Sequence, residues 1–181
     1  AWIKARRITG DEGLVEELFE TINPFRFPRH PPPALLERVA GVKARIEREV
    51  LSPELLERDI KNGRGGIREI EFFVQTLQML NGGRLPFVRS SNTLTAIAEL
   101  TRYGILDRST AAGLRKRYLR FRRVENVLQM RAEEGVYALP EGEALRGQVA
   151  DLSGYGDLET MDREIAEARD WVNAIYRETF T

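Results

Sequence analysis

The spacing of apolar residues constrains the fold of this chain more than any other feature, because it is helical in every long segment. In one segment, Leu35, Val39, Val42, Ile46 and Val50 recur every three or four residues, which places them on one face of an α-helix. No segment alternates apolar and polar residues in the way that a half-buried strand requires. The sequence therefore predicts an all-α fold, a bundle-like domain of six or seven helices over residues 1–181.

Capping residues and helix breakers predict where these helices begin and end. Four residues can cap a helix by accepting a hydrogen bond from a free N–H at its start: Asp11, Asn92, Asp107 and Asp157. The predicted helices cover residues 11–21, 34–51, 66–81, 92–104, 107–134, 141–152 and 157–180. Residues 1–10 are predicted to hold the tail of an upstream helix (positions 2–8), and the five prolines within 23–33 predict an exposed loop.

Composition excludes several classes of function. Lys and Arg total 28 and Asp and Glu total 28, so no general charge attraction to nucleic acid or to a membrane is expected. There is no Cys and only one His, His30, which argues against a disulfide framework or a zinc site. No apolar run approaches the length of a membrane span, and the first residues of the sequence do not have the apolar region that a signal peptide requires. We therefore expect a cytoplasmic protein, and the missing initiator Met indicates a fragment of a longer chain.

A glycine-rich basic loop precedes the predicted helix 66–81. It contains three glycines, Gly63, Gly65 and Gly66, and three cations, Lys61, Arg64 and Arg68. A helix start has free N–H groups that attract anions, so this pattern favours a site in which Lys61, Arg64, Gly65, Gly66 and Arg68 face an anion or a nucleotide. The alternative is that the glycines only let the chain turn into the helix. The loop lacks the G-K-[ST] ending of a Walker loop, and no strand precedes it as a dinucleotide fingerprint requires.

A polar stripe divides the apolar surface of the helix 66–81. The stripe contains Arg68, Glu71, Gln75 and Gln78, and its members lie three or four residues apart, as neighbours on one helix face do. A helix with two apolar sides is expected to be central, so the stripe must meet partners, because a buried unpaired carboxylate is costly. The stripe either belongs to an internal network or faces a cleft with a neighbouring catalytic domain.

Glu125 is the predicted partner of this stripe. It lies within the apolar face of the helix 107–134, and Arg122 stands about one turn before it. We predict a crossed polar network of Glu71, Gln75, Arg122 and Glu125 between the two helices. The alternative role for Glu125, a general base, is disfavoured because neighbouring arginines keep a carboxylate ionised.

Catalytic and metal-binding patterns are absent. The chain has seven aspartates, and no two of them form a D-x-D pair that would hold Mg²⁺ for phosphoryl transfer. It also lacks the Ser–His and Cys–His arrangements of covalent catalysis. We therefore expect no catalytic residue, no metal site and no bound cofactor in this chain.

Three motifs nevertheless resemble a known family. The segment 61–72 has the form K-x-G-x-G-G-I-R-x-I-E-F, the segment 119–129 is similar to L-x-x-L-R-R-x-E-x-x-L-Q, and residues 137–140 read Y-A-L-P. Together with I-K-A-R at positions 3–6 and G-D at 10–11, they resemble the helical domain of glutamine synthetase adenylyltransferase/adenylyl-removing enzymes. The form G-R-G-G-I-R favours the adenylyl-removing half of that two-headed enzyme.

This resemblance implies a function that the chain alone does not contain. The chain would follow a nucleotidyltransferase domain that holds Mg²⁺ and ATP or ADP, and phosphate would remove AMP from glutamine synthetase with release of ADP. The implied partners are the upstream nucleotidyltransferase domain, glutamine synthetase and the PII signalling protein. Two alternatives remain open, namely the helical region of a PII uridylyltransferase and a non-catalytic helical interaction module.

Overall fold

A computed structural model describes residues 2–50, 52–131 and 136–180, and these residues confirm the all-α prediction. They form eight α-helices and, apart from one isolated bridge between Asp59 and Ala138, no β-structure. The helices are α1 (Glu12–Arg26), α2 (Leu35–Val50), α3 (Pro53–Arg58), α4 (Ile67–Asn81), α5 (Thr93–Arg102), α6 (Arg108–Arg131), α7 (Glu143–Ser153) and α8 (Leu158–Phe180). Two short 3-10 helices cover Trp2–Lys4 and Pro86–Val88. None of the helices in these ranges is long and apolar enough to cross a bilayer.

Helix α4 lies at the centre of the fold, as its two apolar sides predict. It packs against α2, α5, α6 and α8. Its broad apolar face is buried, with Ile67 and Ile70 0% exposed and Val74 1% exposed. Burying one aliphatic side chain of this size stabilises a fold by about 1.5–3 kcal/mol. The apolar face of α4 is therefore a main part of the core, and the candidate site residues lie on α4 and on the elements that contact it.

The four predicted caps are confirmed by local hydrogen bonds. Asp11 Oδ1 accepts from the N–H of Leu14 at 3.0 Å, and Asp107 Oδ1 accepts from that of Thr110 at 2.9 Å. Asn92 and Asp157 cap α5 and α8 in the same way. The predicted helix boundaries therefore agree within two residues for most elements, whereas residues 132–135, the predicted end of α6, lie outside the described residues.

The helix predicted for positions 2–8 is wrong. Only Trp2–Lys4 is helical, as a single 3-10 turn. The carbonyl oxygens of Ile3 and Ala5 accept hydrogen bonds from Nη2 of Arg26, at 2.9 and 3.0 Å. Because Arg26 of α1 binds these carbonyl oxygens, the segment is attached to the end of α1 and does not continue as a helix.

The loop predicted for 23–33 begins later than expected, because α1 continues through Pro24 to Arg26. Proline inside a helix removes one backbone hydrogen bond and is unfavourable. Packing offsets that loss: Phe27 is 2% exposed, and its N–H donates to the carbonyl oxygen of Asn23 at 2.8 Å. Tertiary burial of the last turn therefore overrides the helix-breaking residue.

The short helix α3 was not predicted, and it accounts for the count of eight. Ser52 accepts a hydrogen bond from the N–H of Leu55, and Pro53 occupies the first turn, which are both signals of a helix start. Six residues are too few for a stable isolated helix. The guanidinium of Arg169 stabilises its C-terminal end by donating to the carbonyl oxygens of Leu56, at 2.8 Å, and Glu57.

Candidate functional site: the glycine loop and the charge network

The glycine loop binds an anion of its own, the carboxylate of Asp59. Its Oδ1 accepts hydrogen bonds from the N–H groups of Lys61, at 2.8 Å, and Asn62, at 2.6 Å. Its Oδ2 accepts from the side-chain amide of Asn62 at 3.2 Å. Asp59 is 5% exposed, so the loop folds around a buried internal carboxylate.

The start of α4 also has internal partners for its backbone. The N–H of Ile67 donates to the carbonyl oxygen of Ile60, at 3.0 Å, and that of Arg68 to the carbonyl oxygen of Lys61, at 2.9 Å. The N–H of Glu69 donates to Gly66 at 3.1 Å. The first turn therefore has no free N–H at these three positions, and an external anion here would have to be bound by side chains.

The glycines of the loop are required by close packing. Gly65 has a φ of +68°, and a Cβ atom there would overlap the carbonyl group of Arg169 in α8. A Cβ at Gly63 would overlap the carbonyl oxygen of Leu56, and one at Gly66 would lie 2.7 Å from that of Ile60. The absence of side chains lets the backbones of α3 and α8 pack directly on the loop.

Lys61 is neutralised within the fold. Its Nζ lies 3.1 Å from Oε1 of Glu125 and 3.9 Å from the centre of the Tyr137 ring. A carboxylate and the face of an aromatic ring are both favourable neighbours for an ammonium group. Lys61 therefore connects the glycine loop to α6. Because its ammonium group is already paired with the Glu125 carboxylate, we do not expect it to bind an external anion.

Arg64 and Arg68 have neutral partners and keep their positive charge. Nε of Arg64 donates to Oδ1 of Asn173 at 2.9 Å, and Nε of Arg68 donates to Oδ1 of Asn62 at 3.2 Å. Arg64 is exposed and Arg68 is half-buried. Of the residues predicted to face an anion, these two are the ones whose guanidinium groups remain chemically able to do so.

Arg122 joins the two predicted glutamates. Its Nη1 lies 2.6 Å from Oε2 of Glu125, and its Nη2 lies 2.9 Å from Oε1 of Glu71. The hydroxyl of Tyr118 donates to the same Glu71 oxygen at 3.2 Å. The structure thus brings Glu71, Arg122 and Glu125 together, whereas Gln75, half-buried in the same stripe, makes no hydrogen bond to another described residue.

Lys4 extends this arrangement into a chain of alternating charges. Its Nζ lies 2.7 Å from Oε1 of Glu71, so the order is Lys4, Glu71, Arg122, Glu125 and Lys61. This charge network joins the N-terminal segment, α4, α6 and the glycine loop. Sequence reasoning missed Lys4, since a contact between positions 67 residues apart leaves no local pattern.

Both oxygens of Glu125 are engaged by cations, which disfavours a general base at this position. The side chain is 3% exposed, and Arg122 and Lys61 each bind one oxygen. Burial lowers the pKa of Arg122, but hydrogen bonds to Tyr118 and Glu125 and their charges raise it by more, so the guanidinium stays charged. Because both oxygens are buried and each is bound to a cation, Glu125 is poorly placed to take a proton from a substrate.

We expect the charge network to make stability depend on pH. Burial raises the pKa of Glu71, but the hydrogen bond and charge of Lys4, the charge of Arg122 and the Tyr118 hydroxyl together bring it below the ordinary 4.5. The unfolded state therefore binds protons more readily, so this contribution to stability is present above about pH 4.5 and is lost as the pH falls through the folded pKa.

The measurement is urea unfolding of the wild type and of Glu71→Gln from neutral pH to about pH 3. The free-energy difference between the two proteins should shrink as the pH falls. Glu159→Gln, at an exposed position of α8, is the control and should follow the wild type. A Glu71→Gln difference that stays constant over this range would contradict the assignment.

A further buried carboxylate, that of Glu69, was not predicted. It is 0% exposed, and Oε1 lies 2.6 Å from Nζ of Lys43. The side-chain amide of Asn173 approaches both of its oxygens at 3.2 Å, so Glu69 joins α2, α4 and α8. Its position four residues before the buried Phe73 was the available signal, because such residues share a helix face.

The described ranges show no cluster of side chains that could ligate a metal ion. A cleft of about 510 Å³ lies between α3, α7 and α8, but its Arg58 pairs with Glu141 and its Arg146 with Asp162. Within the same ranges, no three His, Asp or Glu side chains come together as metal ligands. The Mg²⁺ that the resemblance implies does not fit these residues.

Comparison with protein families decides where this chain belongs. A family model described as GlnD PII-uridylyltransferase matches residues 34–180. The chain belongs to that family. The match begins just before α2 and ends with α8, so it includes the glycine loop, α4 and α6.

Individual relatives carry a related name and confirm the resemblance found in the motifs. The chain is 39% identical over 178 residues to the bifunctional glutamine synthetase adenylyltransferase/adenylyl-removing enzyme of Xanthomonas campestris pv. campestris (strain B100), which covers 98% of this chain and 19% of that protein. The enzymes of that name from Stenotrophomonas maltophilia (strain K279a) and Caulobacter vibrioides are 38% and 37% identical over 96% and 99% of the chain, and in each 18% of the relative is covered. The chain therefore spans about a fifth of the length of the curated relatives it matches.

Proposed function

We propose that this chain is the helical domain of an enzyme that regulates glutamine synthetase by transfer and removal of adenylyl groups. The observation that carries the proposal is its similarity, at 39% identity over 98% of the chain, to an enzyme with that name. The loop form G-R-G-G-I-R supports the adenylyl-removing half. There, an oxygen of phosphate would attack the phosphorus of the adenylyl group on a tyrosine of glutamine synthetase. The bond from that phosphorus to the tyrosine oxygen would break, and the products would be ADP and the unmodified tyrosine.

In this proposal the domain forms a wall of the active-site cleft and performs no chemical step. As the resemblance implies, Mg²⁺ and ATP or ADP would be held by a nucleotidyltransferase domain that precedes it; among the described residues, no three His, Asp or Glu side chains come together as metal ligands. The working location is the cytoplasm, and glutamine synthetase and the PII signalling protein are the partners. The charge network supports this role, since Lys4 ties the segment nearest that domain to α4.

The glycine loop would contribute through its side chains. Lys61, Gly65 and Gly66 build the loop, while Arg64 and Arg68 direct uncompensated charge toward a phosphate or nucleotide. In the longer enzyme, Arg64→Ala and Arg68→Ala should raise the apparent KM for phosphate with little loss of stability, whereas Arg115→Ala, at an exposed position of α6, should not. Unchanged KM values in both variants would leave the loop with a structural role only.

The proposal predicts that the 181-residue chain is inactive and that the longer protein is active. Phosphate-dependent release of ADP from adenylylated glutamine synthetase, and transfer of AMP from ATP to the unmodified enzyme, are the two assays. Either activity in the purified chain alone would contradict the role assigned here, and its absence from the longer protein would contradict the function.

A second candidate function is favoured by the description of the matching family model. In that case the longer protein would transfer UMP from UTP to PII. The same purified protein can be tested with both pairs of substrates. Modification of PII without modification of glutamine synthetase would select this alternative.

A further inference from the structure

A pocket rich in arginine lies between the N-terminal segment, the end of α1 and the loop before α5. It has a volume of about 310 Å³, and its polar lining includes Arg6, Arg7, Asn23, Arg26, Arg89 and Ser91. Neither the charge network nor the glycine loop contributes to it. Its function is therefore not explained by the site described above.

Arg26 is buried in this pocket without a carboxylate partner. It is 8% exposed, and its Nη atoms donate only to neutral oxygens, those of Ile3, Ala5 and the Asn23 side chain, at 2.9 to 3.2 Å. Its Nε is buried and has no hydrogen-bond partner among the described residues. A buried guanidinium with neutral partners and an unused donor is unfavourable unless a counter-ion binds.

The neighbouring arginines add to this charge. Arg89 donates through Nε to the carbonyl oxygen of Gly82 at 2.6 Å and lies, like Arg26, over the ring of Phe27. Burial and the charge of Arg89 both lower the pKa of Arg26. Among the described residues Arg6 makes no ion pair, so Arg6, Arg26 and Arg89 all lack a carboxylate.

The fourth arginine is the exception, since Arg7 pairs with Glu12 at 2.9 Å. Both of those side chains are largely exposed, so the pair lies at the rim. The pocket thus concentrates three uncompensated guanidinium groups, and a single internal carboxylate stands only at its edge.

We propose that this pocket binds a tetrahedral oxyanion, supplied either as inorganic phosphate or as the phosphoryl group of a nucleotide. Guanidinium groups present forked donors that match phosphate oxygens. The Ser91 hydroxyl and the free amide N–H of Asn23 supply neutral donors beside them. A phosphoryl group carries up to two negative charges near neutral pH, which compensates three arginines better than one protein carboxylate.

The test uses the 181-residue chain alone and is independent of the proposed enzymatic function. Isothermal titration calorimetry in a phosphate-free chloride buffer would measure binding of inorganic phosphate, AMP and ADP. We expect saturable binding to the wild type and a loss of roughly tenfold or more in affinity in Arg89→Gln and in Arg6→Gln, because hydrogen bonds to charged groups are the stronger ones. Binding of inorganic phosphate would show that the ligand of the pocket is the free anion. Binding of AMP or ADP without binding of phosphate would show that the ligand is the phosphoryl group of a nucleotide.

Arg115→Gln is the matched control, because it removes an exposed arginine outside the pocket and should leave the affinity unchanged. Arg26→Gln also removes the hydrogen bonds to the carbonyl oxygens of Ile3 and Ala5, so Arg6→Gln and Arg89→Gln carry the conclusion if Arg26→Gln fails to fold. The proposal is overturned if neither phosphate nor nucleotide binds the wild type, which would leave the cluster as a docking face for an acidic protein segment. It is also overturned if Arg6→Gln and Arg89→Gln bind as tightly as the wild type.

Discussion

Replacing Gly65 by Ala is expected to destabilise the fold by about 2–5 kcal/mol. A left-handed backbone conformation disfavours Ala by roughly 1–2 kcal/mol, and Gly65 has a φ of +68°. Its new methyl group would also overlap the carbonyl group of Arg169, and such overpacking typically adds about 1–3 kcal/mol. The displaced part of α8 holds the Arg169 side chain that stabilises α3, so both helices should lose packing.

Gly104→Ala separates the cost of the left-handed backbone conformation from the cost of overpacking. Gly104 has a φ of +71°, but no atom lies within 4 Å of the position that a Cβ would occupy. Gly104→Ala should therefore lower the free energy of unfolding only by the cost of the left-handed backbone conformation, roughly 1–2 kcal/mol. Urea unfolding of both variants is the measurement. Equal destabilisation would show that the loop and α8 do not pack as closely as described.

Removing the buried carboxylate in Glu125→Ala is expected to cost about 3 kcal/mol, the lower end of the range for breaking a buried ion pair. Glu125 is 2% exposed and binds Arg122 at 2.6 Å and Lys61 at 3.1 Å. The lower end applies because these cations are 35% and 21% exposed, so water can solvate them in part once the carboxylate is gone.

Glu159→Ala, an exposed position on α8, is the control and should change stability by no more than about 0.5 kcal/mol. The measurement is thermal and urea unfolding of both variants. Introducing Lys61→Ala into the wild type and into Glu125→Ala completes a double-mutant cycle, in which the effects of the Glu125 and Lys61 substitutions should not be additive. A Glu125→Ala effect no larger than that of Glu159→Ala would mean that the charge network does not stabilise the fold.

The sequence by itself determined the features that depend on near neighbours. Asp11, Asn92, Asp107 and Asp157 cap their helices through atoms two or three residues away, so each boundary is visible locally. The buried face of α4 follows from the helical period alone. One local signal was overlooked, since Asp readily accepts hydrogen bonds from the backbone just after it, and this is how Asp59 fills the glycine loop.

Tertiary structure decided the features that depend on distant parts of the chain. The N-terminal segment does not form the predicted α-helix, because Arg26, more than 20 residues away, binds its carbonyl oxygens. Helix α3 persists because Arg169, 113 residues from Leu56, binds its end. Such contacts form only after the helices have packed, so no short window of sequence encodes them. The same reason explains the candidate sites, in which the chemistry of Arg26, Lys61 and Glu125 is set by partners that packing brings to them.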